Sequence, residues 1–261
     1  MGMSEAGLED QHLVHDAVGP PLTGVQAGAA IAIGVVSLLI AGVLPVLLGG
    51  LTDEHRLSAS GIGLAATLEA LTMGVTAGLA GVFLKPRRLK WLGAAASIAL
   101  ALADFSVIFL HDGGVMAARS AAGVSEGLLL WITIGMIART ETPERWSGVL
   151  FTALTATQLA VATVFAAGVL PRFGANGGFI CLAGLSLTGV AISVFVPDRY
   201  APLPHEAEAG GGAPPLRGWL ALVATFVFVS AAGAVGIYLV PLAHQAGLSA
   251  GVAQTDRKSV V

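Results

Sequence analysis

Charge is scarce in this chain. Asp, Glu, Lys and Arg make up 11% of its 261 residues, against 55% hydrophobic residues and a mean hydropathy of +0.83. A soluble domain carries about 25% charged residues, so an ordinary water-facing surface is excluded. The net charge of −3 says less than where the charges fall. A single cysteine, Cys181, rules out a disulfide framework or a thiolate zinc cluster built from this chain. Residues 1–24 have no Lys or Arg and carry Glu5, Glu9, Asp10 and Asp16, so they do not read as a cleavable signal peptide. His12 and His15 lie there without further ligands nearby in sequence, and no metal or cofactor is expected. Gly210-Gly211-Gly212 follows no strand pattern and reads as flexible linker, so neither nucleotide nor nucleic acid is an expected partner.

What the chain has instead is long apolar runs. A bilayer-spanning helix needs roughly 20 mostly apolar residues. The pattern predicts helices near 25–48, 61–84, 91–110, 115–138, 147–170, 176–196 and 218–242. The expected fold is therefore an all-α polytopic membrane protein, with the lipid bilayer as its surroundings.

The loops are lopsided. Lys85, Arg87, Arg88, Lys90, Arg139, Arg145, Arg199 and Arg217 fall in one alternate set of connections, and only Arg56 and Arg172 in the other. The positive-inside rule then predicts a cytoplasmic amino terminus and a multi-pass protein of the plasma membrane, or of the inner membrane in a Gram-negative cell. The basic run Lys85–Lys90 would also lie where anionic headgroups are, although topology alone accounts for it. Residues 197–217, PDRYAPLPHEAEAGGGAPPLR, are too polar and too rich in Pro and Gly to fold by burial, and read as a cytoplasmic linker.

After the linker the chain restarts. The first helix leads through Pro45 to Leu57-Ser58-Ala59-Ser60-Gly61, and the seventh through Pro241 to Leu248-Ser249-Ala250-Gly251. Parallel repeats of this kind occur in transporters that bind substrate near the midplane, between two halves. Residues 243–255 would open the next loop. Asp256-Arg257-Lys258-Ser259-Val260-Val261 resembles a translated sequencing adapter, and the expectation is that this tail is foreign to a longer, truncated carrier. A natural basic terminus is the alternative.

Six helices, a linker and a repeat resemble the major facilitator superfamily of secondary transporters. Two local patterns support the likeness. That family carries Gly-x-x-x-Asp-Arg/Lys-x-Gly-Arg-Arg/Lys between its second and third helices; Gly81, Lys85, Arg87, Arg88 and Lys90 keep the glycine and the basic character, with Lys85 in place of the Asp and Arg88 in place of the inner Gly. Its fourth helix carries Arg-x-x-Gln-Gly; Arg119 and Gly123 are kept, and Ala122 replaces the Gln. The resemblance, over about residues 25–250, implies a six-helix amino-terminal half, 25–196, plus the first helix of a second half from a twelve-helix carrier. Ala166–Leu170 lacks the Gly-Pro signature that efflux members show late in the fifth helix, which disfavours drug–proton antiport.

Four ionisable residues fall inside expected spans: Glu69, Asp104, Arg119 and Glu126. Each costs roughly 2.5–3.5 kcal/mol at a helix centre, whereas each Leu or Ile returns only about 0.3–0.6 kcal/mol. The fourth helix, with two of them, should insert only alongside neighbours. Arg119, Gly123 and Glu126 share one helix face by their spacing of four and three. Ala122, Gly123 and Gly127 on that stripe would equally serve close helix packing. A tight hairpin about His111 and Gly113 sets Asp104 and Arg119 at similar depth, where an ion pair would be a structural staple. Glu69 shares a face with Ala65, Ala66, Thr72 and Thr76. Glu69 or Glu126 is the candidate for proton coupling or substrate contact, against a packed, hydrogen-bonded carboxyl. Gln158, one turn after Thr155, is a candidate substrate contact or interhelical glue.

The leading expectation is a secondary active transporter of a small molecule, with protons as a candidate coupling ion. A non-transporting seven-helix scaffold or sensor is the alternative. An intramembrane enzyme is disfavoured, because no His or Cys pair within the spans would serve an acid such as Glu69.

Overall fold

The computed structural model describes residues 22–201 and 216–245. Within them the chain is helical: α1 Gly24–Asp53, α2 Ala59–Phe83, α3 Leu89–Ser106, α4 Asp112–Ile137, α5 Pro143–Val164, α6 Leu170–Ser193 and α7 Leu216–Gln245. A 3-10 turn, Val107–Phe109, extends α3, and a π-helical turn, Phe165–Val169, joins α5 to α6. Each expected span overlaps one of these helices to within a few residues, except that 147–170 runs through α5 and the π-helical turn to Leu170. The repeat segment 248–251, the tail 256–261 and most of the linker lie outside the described residues.

Local chemistry sets several helix starts. Thr23 and Gln26 form a reciprocal capping box at α1, Ser58 accepts the Gly61 amide at α2, and Pro143 opens α5 where no amide partner is needed. By length and composition, five helical runs of the described residues could cross a membrane; the last, Pro143–Ser193, is 51 residues long. A straight helix of that length would reach about 75 Å, far beyond a bilayer core. Gly174 breaks it, with φ 64° and ψ −167°, a conformation essentially reserved for glycine.

The packing along α1 shows that the chain reverses there. Gly34, Gly42 and Gly50 of α1 meet Leu150, Gln158 and Leu170 in turn, so the chain from α5 through Leu170 runs alongside α1 in the same direction. Beyond Gly174, Gly178 meets Leu47 and Gly189 meets Val36, so α6 runs back. The 51-residue run is thus two antiparallel passes. All six helices α1–α6 alternate in direction between a near end, where α1 begins, and a far end.

Two sets of small residues bring helices close. On α4, a Cβ at Gly123 would collide with the Glu69 carbonyl and the Thr72 hydroxyl of α2, and one at Gly127 would lie 2.5 Å from the Met73 carbonyl. Thr72 Oγ1 donates to the Ser120 carbonyl across this contact, at 2.9 Å. On α3 and α6 the notches are reciprocal: Gly93 faces Ser193, and Gly189 faces Ser97. Such notches suit helix packing where lipid supplies no hydrophobic drive between helices. α1 joins α4 through Thr133 Oγ1 to the Ala30 carbonyl and Ser37 Oγ to the Glu126 carbonyl. Large apolar side chains point outward, among them Leu71, Val75 and Leu79 of α2, Trp91 and Leu102 of α3, and Phe226 of α7. Charges inside and apolar groups outside fit a multi-pass membrane protein.

The two ends are tied differently. At the near end the first linker residues are folded rather than free: the Leu89 amide donates to the Asp198 carbonyl, the Tyr200 amide to the Pro86 carbonyl, and Tyr200 Oη to the Ile132 carbonyl. Arg139 stacks on the Tyr200 ring and donates to the Ala201 carbonyl. One aromatic among the linker's polar residues had enough apolar surface to be buried, and it pins residues 197–201 against α4. Burial pushes the Tyr200 phenol up from its ordinary pKa, and Arg139 opposes the shift. At the far end Arg56 donates to the Val107 and Leu110 carbonyls and to Asn176 Oδ1, while Glu54 Oε1 accepts the Ala175 amide.

Candidate functional site

The four intramembrane charges expected from the sequence converge on one point. α4 presents Arg119 and Glu126 from the same face, α2 brings Glu69 across the Gly123 notch, and α3 brings Asp104. Arg119 is the centre and is fully buried. Its Nε donates to Glu69 Oε2 at 3.0 Å, its Nη2 to Glu69 Oε1, and its Nη1 to Asp104 Oδ1 at 2.6 Å. The Glu69 arrangement is a two-point fork, the strongest geometry a guanidinium offers. The other Asp104 oxygen accepts from Ser186 Oγ of α6, at 2.8 Å.

Glu126 is placed differently. Its Oε1 lies 3.6 Å from Arg119 Nη2, beyond hydrogen-bond distance, and has no hydrogen-bond partner although it is buried. Glu126 also faces the Glu69 carboxyl. Three carboxyl groups thus surround one guanidinium. Burying an uncompensated charge costs several kcal/mol even after relaxation, so the arrangement has a charge-balance problem that protons or a cation can solve.

Depth matters as well. Glu126 is the fifteenth of 26 residues in α4, and its carbonyl is held by Ser37, near the middle of α1. Glu126 therefore sits at half height in the bundle, and Arg119 and Asp104 lie toward the far end. Both Glu126 and Asp104 are only 1% exposed. A groove of about 360 Å³ between α1, α5 and α6, lined by Ile31, Val35, Leu39, Ala153 and Leu185, does not reach them.

The remaining candidates stand apart. Gln158 donates to the Leu38 carbonyl of α1 at 2.8 Å and fills the space beside Gly42, bridging α5 and α1. Gly81, Lys85, Arg87, Arg88 and Lys90 are exposed at the near end, and Arg87 pairs with Arg199 in an isolated bridge. Arg88 adopts a left-handed conformation, φ 57°, at the start of α3. Gly123 admits the close approach of α2. Ser186 and Arg56 were not legible as partners. Ser186 does lie in a stripe with Gly189 and Ser193, opposite Gly93, Ser97 and Asp104, which marks the facing surfaces; Arg56 gave no signal beyond its charge. Compared with protein-family models, with curated proteins and with solved structures, this chain finds no match.

Proposed function

We propose that the chain is the amino-terminal part of a secondary transporter of a small molecule, of the major facilitator type, working by alternating access with protons as the coupling ion. The observation that carries this reading is the Arg119 cluster, four ionisable side chains from α2, α3 and α4 enclosed in helices long and apolar enough to span a bilayer. Charged groups at such depth are costly to insert and are the usual mark of an ion or substrate pathway. The six-helix alternation, the basic near end and the apolar α7 after the linker agree with one half of such a carrier followed by the start of another. The reading places the near end, and with it the amino terminus, in the cytoplasm.

A non-transporting scaffold or sensor is favoured by one feature, the enclosure of the cluster away from the α1–α5–α6 groove. Transport is tested on the uninterrupted source gene product in liposomes loaded with a pH-sensitive dye. Proton movement driven by one of a panel of small metabolites, abolished by Glu126→Gln at unchanged expression, is the expected result. If no compound moves protons, and Glu69→Gln and Glu126→Gln both leave uptake of every panel compound undiminished, the transporter reading is overturned in favour of the scaffold.

A further inference from the structure

The three carboxyl groups around Arg119 are not equivalent. Glu69 has both oxygens on the guanidinium, and Asp104 has one oxygen on Arg119 and the other on Ser186. Each is satisfied as an anion. Glu126 has a buried oxygen with no donor, 3.6 Å from a guanidinium nitrogen already engaged by Glu69. With Glu69 and Asp104 ionised, Arg119 leaves the group one negative charge in excess, and ionising Glu126 would make it two. Facing Glu126 besides Arg119 are the Glu69 carboxyl of α2, within side-chain reach of it, and the Asp104 carboxyl of α3. Among the described residues α1 offers only the Ser37 hydroxyl, to the Glu126 backbone carbonyl, and α6 offers Ser186 to Asp104.

We propose that Glu126 is an exchangeable proton-binding site, protonated in the arrangement described, and that losing its proton moves Arg119 from Glu69 to Glu126. This deepens the transport reading and rests on it for the use made of the proton. The step balances simply. The O–H bond of Glu126 breaks, the proton passes to water admitted to the bundle, and the carboxylate left behind takes Nη2 of Arg119. Glu69 on α2 then loses one arm of its fork. Because Glu69 sits beside the Gly123 notch, the exchange weakens the α2–α4 contact and ties protonation to helix packing.

The test reads the proton directly and needs no substrate. Infrared spectra of the purified chain in lipid bilayers, recorded in H2O and D2O, should show a protonated-carboxyl C=O band. Glu126→Gln should remove that band. Glu126→Asp should shift it, since Asp and Glu carboxyls absorb at different positions, whereas Glu69→Asp should leave it in place. Absence of the band from the wild-type chain, or a band that Glu126→Asp leaves unmoved and Glu69→Asp shifts, overturns the assignment. Thermal unfolding of each variant in the same lipid confirms that the spectra come from folded protein. A chain that moves no substrate can still show the band, so failure of the transport reading and failure of this one are distinguishable.

Discussion

Arg119 holds together groups from three helices, and its removal should be costly out of proportion to a single side chain. Truncating one partner of a buried ion pair typically costs about 3–5 kcal/mol, because the orphaned charges stay buried. Arg119→Ala should therefore lower folded yield and the unfolding temperature sharply. Adding Glu69→Gln and Asp104→Asn to that variant should recover part of the loss, since the two carboxylates bonded to Arg119 are then neutral. Unfolding of the single and triple variants in the same detergent is the check; equal destabilisation would mean the charges are not paired in the folded chain. Tyr200 gives a second case at this scale. Its phenol is pushed up by burial, so the neutral form is favoured in the fold. Its contribution is present at pH below the ordinary phenol value, about 10, and is lost once the pH passes the raised value. Tyr200→Phe should cost about 0.5–1.5 kcal/mol for the lost bond to the Ile132 carbonyl and should flatten the alkaline loss of stability. Unfolding curves of both proteins across alkaline pH decide it.

Among the helices, stability depends on where backbones touch. Gly123→Ala would press a methyl on the Glu69 carbonyl and Thr72, and overpacking of this kind costs about 1–3 kcal/mol. Gly74 and Gly78, on the outward side of α2, have open space around a would-be Cβ. Alanine there should be neutral or slightly stabilising, so the contrast between Gly123→Ala and Gly78→Ala tests the α2–α4 contact. Gly174→Ala must hold an alanine at φ 64°, ψ −167°, at roughly 1–3 kcal/mol of strain, and its methyl would also meet Glu54 Oε1. Loss of protease resistance in the α5–α6 turn is the expected readout.

How far this was legible differs from element to element. The spans could be read because a bilayer imposes a length on apolar runs, and the pairing of Asp104 with Arg119 followed from a short hairpin. That Glu69 and Glu126 join the same guanidinium could not be read, since it depends on which face of α2 meets α4. Arg56 looked like a solitary loop charge; its burial arises only when three loops far apart in sequence meet at the far end. Tyr200 was counted with a linker too polar to fold, because the composition of a window hides a single side chain that finds a pocket.

For the whole molecule, the described parts of the helix connections that carry several basic residues lie at the near end, where Leu89, Arg139 and Tyr200 meet. The proposed orientation predicts that a reporter fused after Pro86 is cytoplasmic and one fused after His111 is not. The opposite pattern would invert the orientation. One further consequence follows from the strap at Tyr200. The segment that leads to α7 is fastened, at Tyr200 and Ala201, to Ile132 and Arg139 near the end of α4. The same strap is bonded to Pro86 and Leu89 at the start of α3, so a displacement of residue 201 would bear on α3 and α4 as well as on the end of α6. Residues 198–201 thus act as a clasp that joins the start of α3 to the end of the helix holding Arg119 and Glu126.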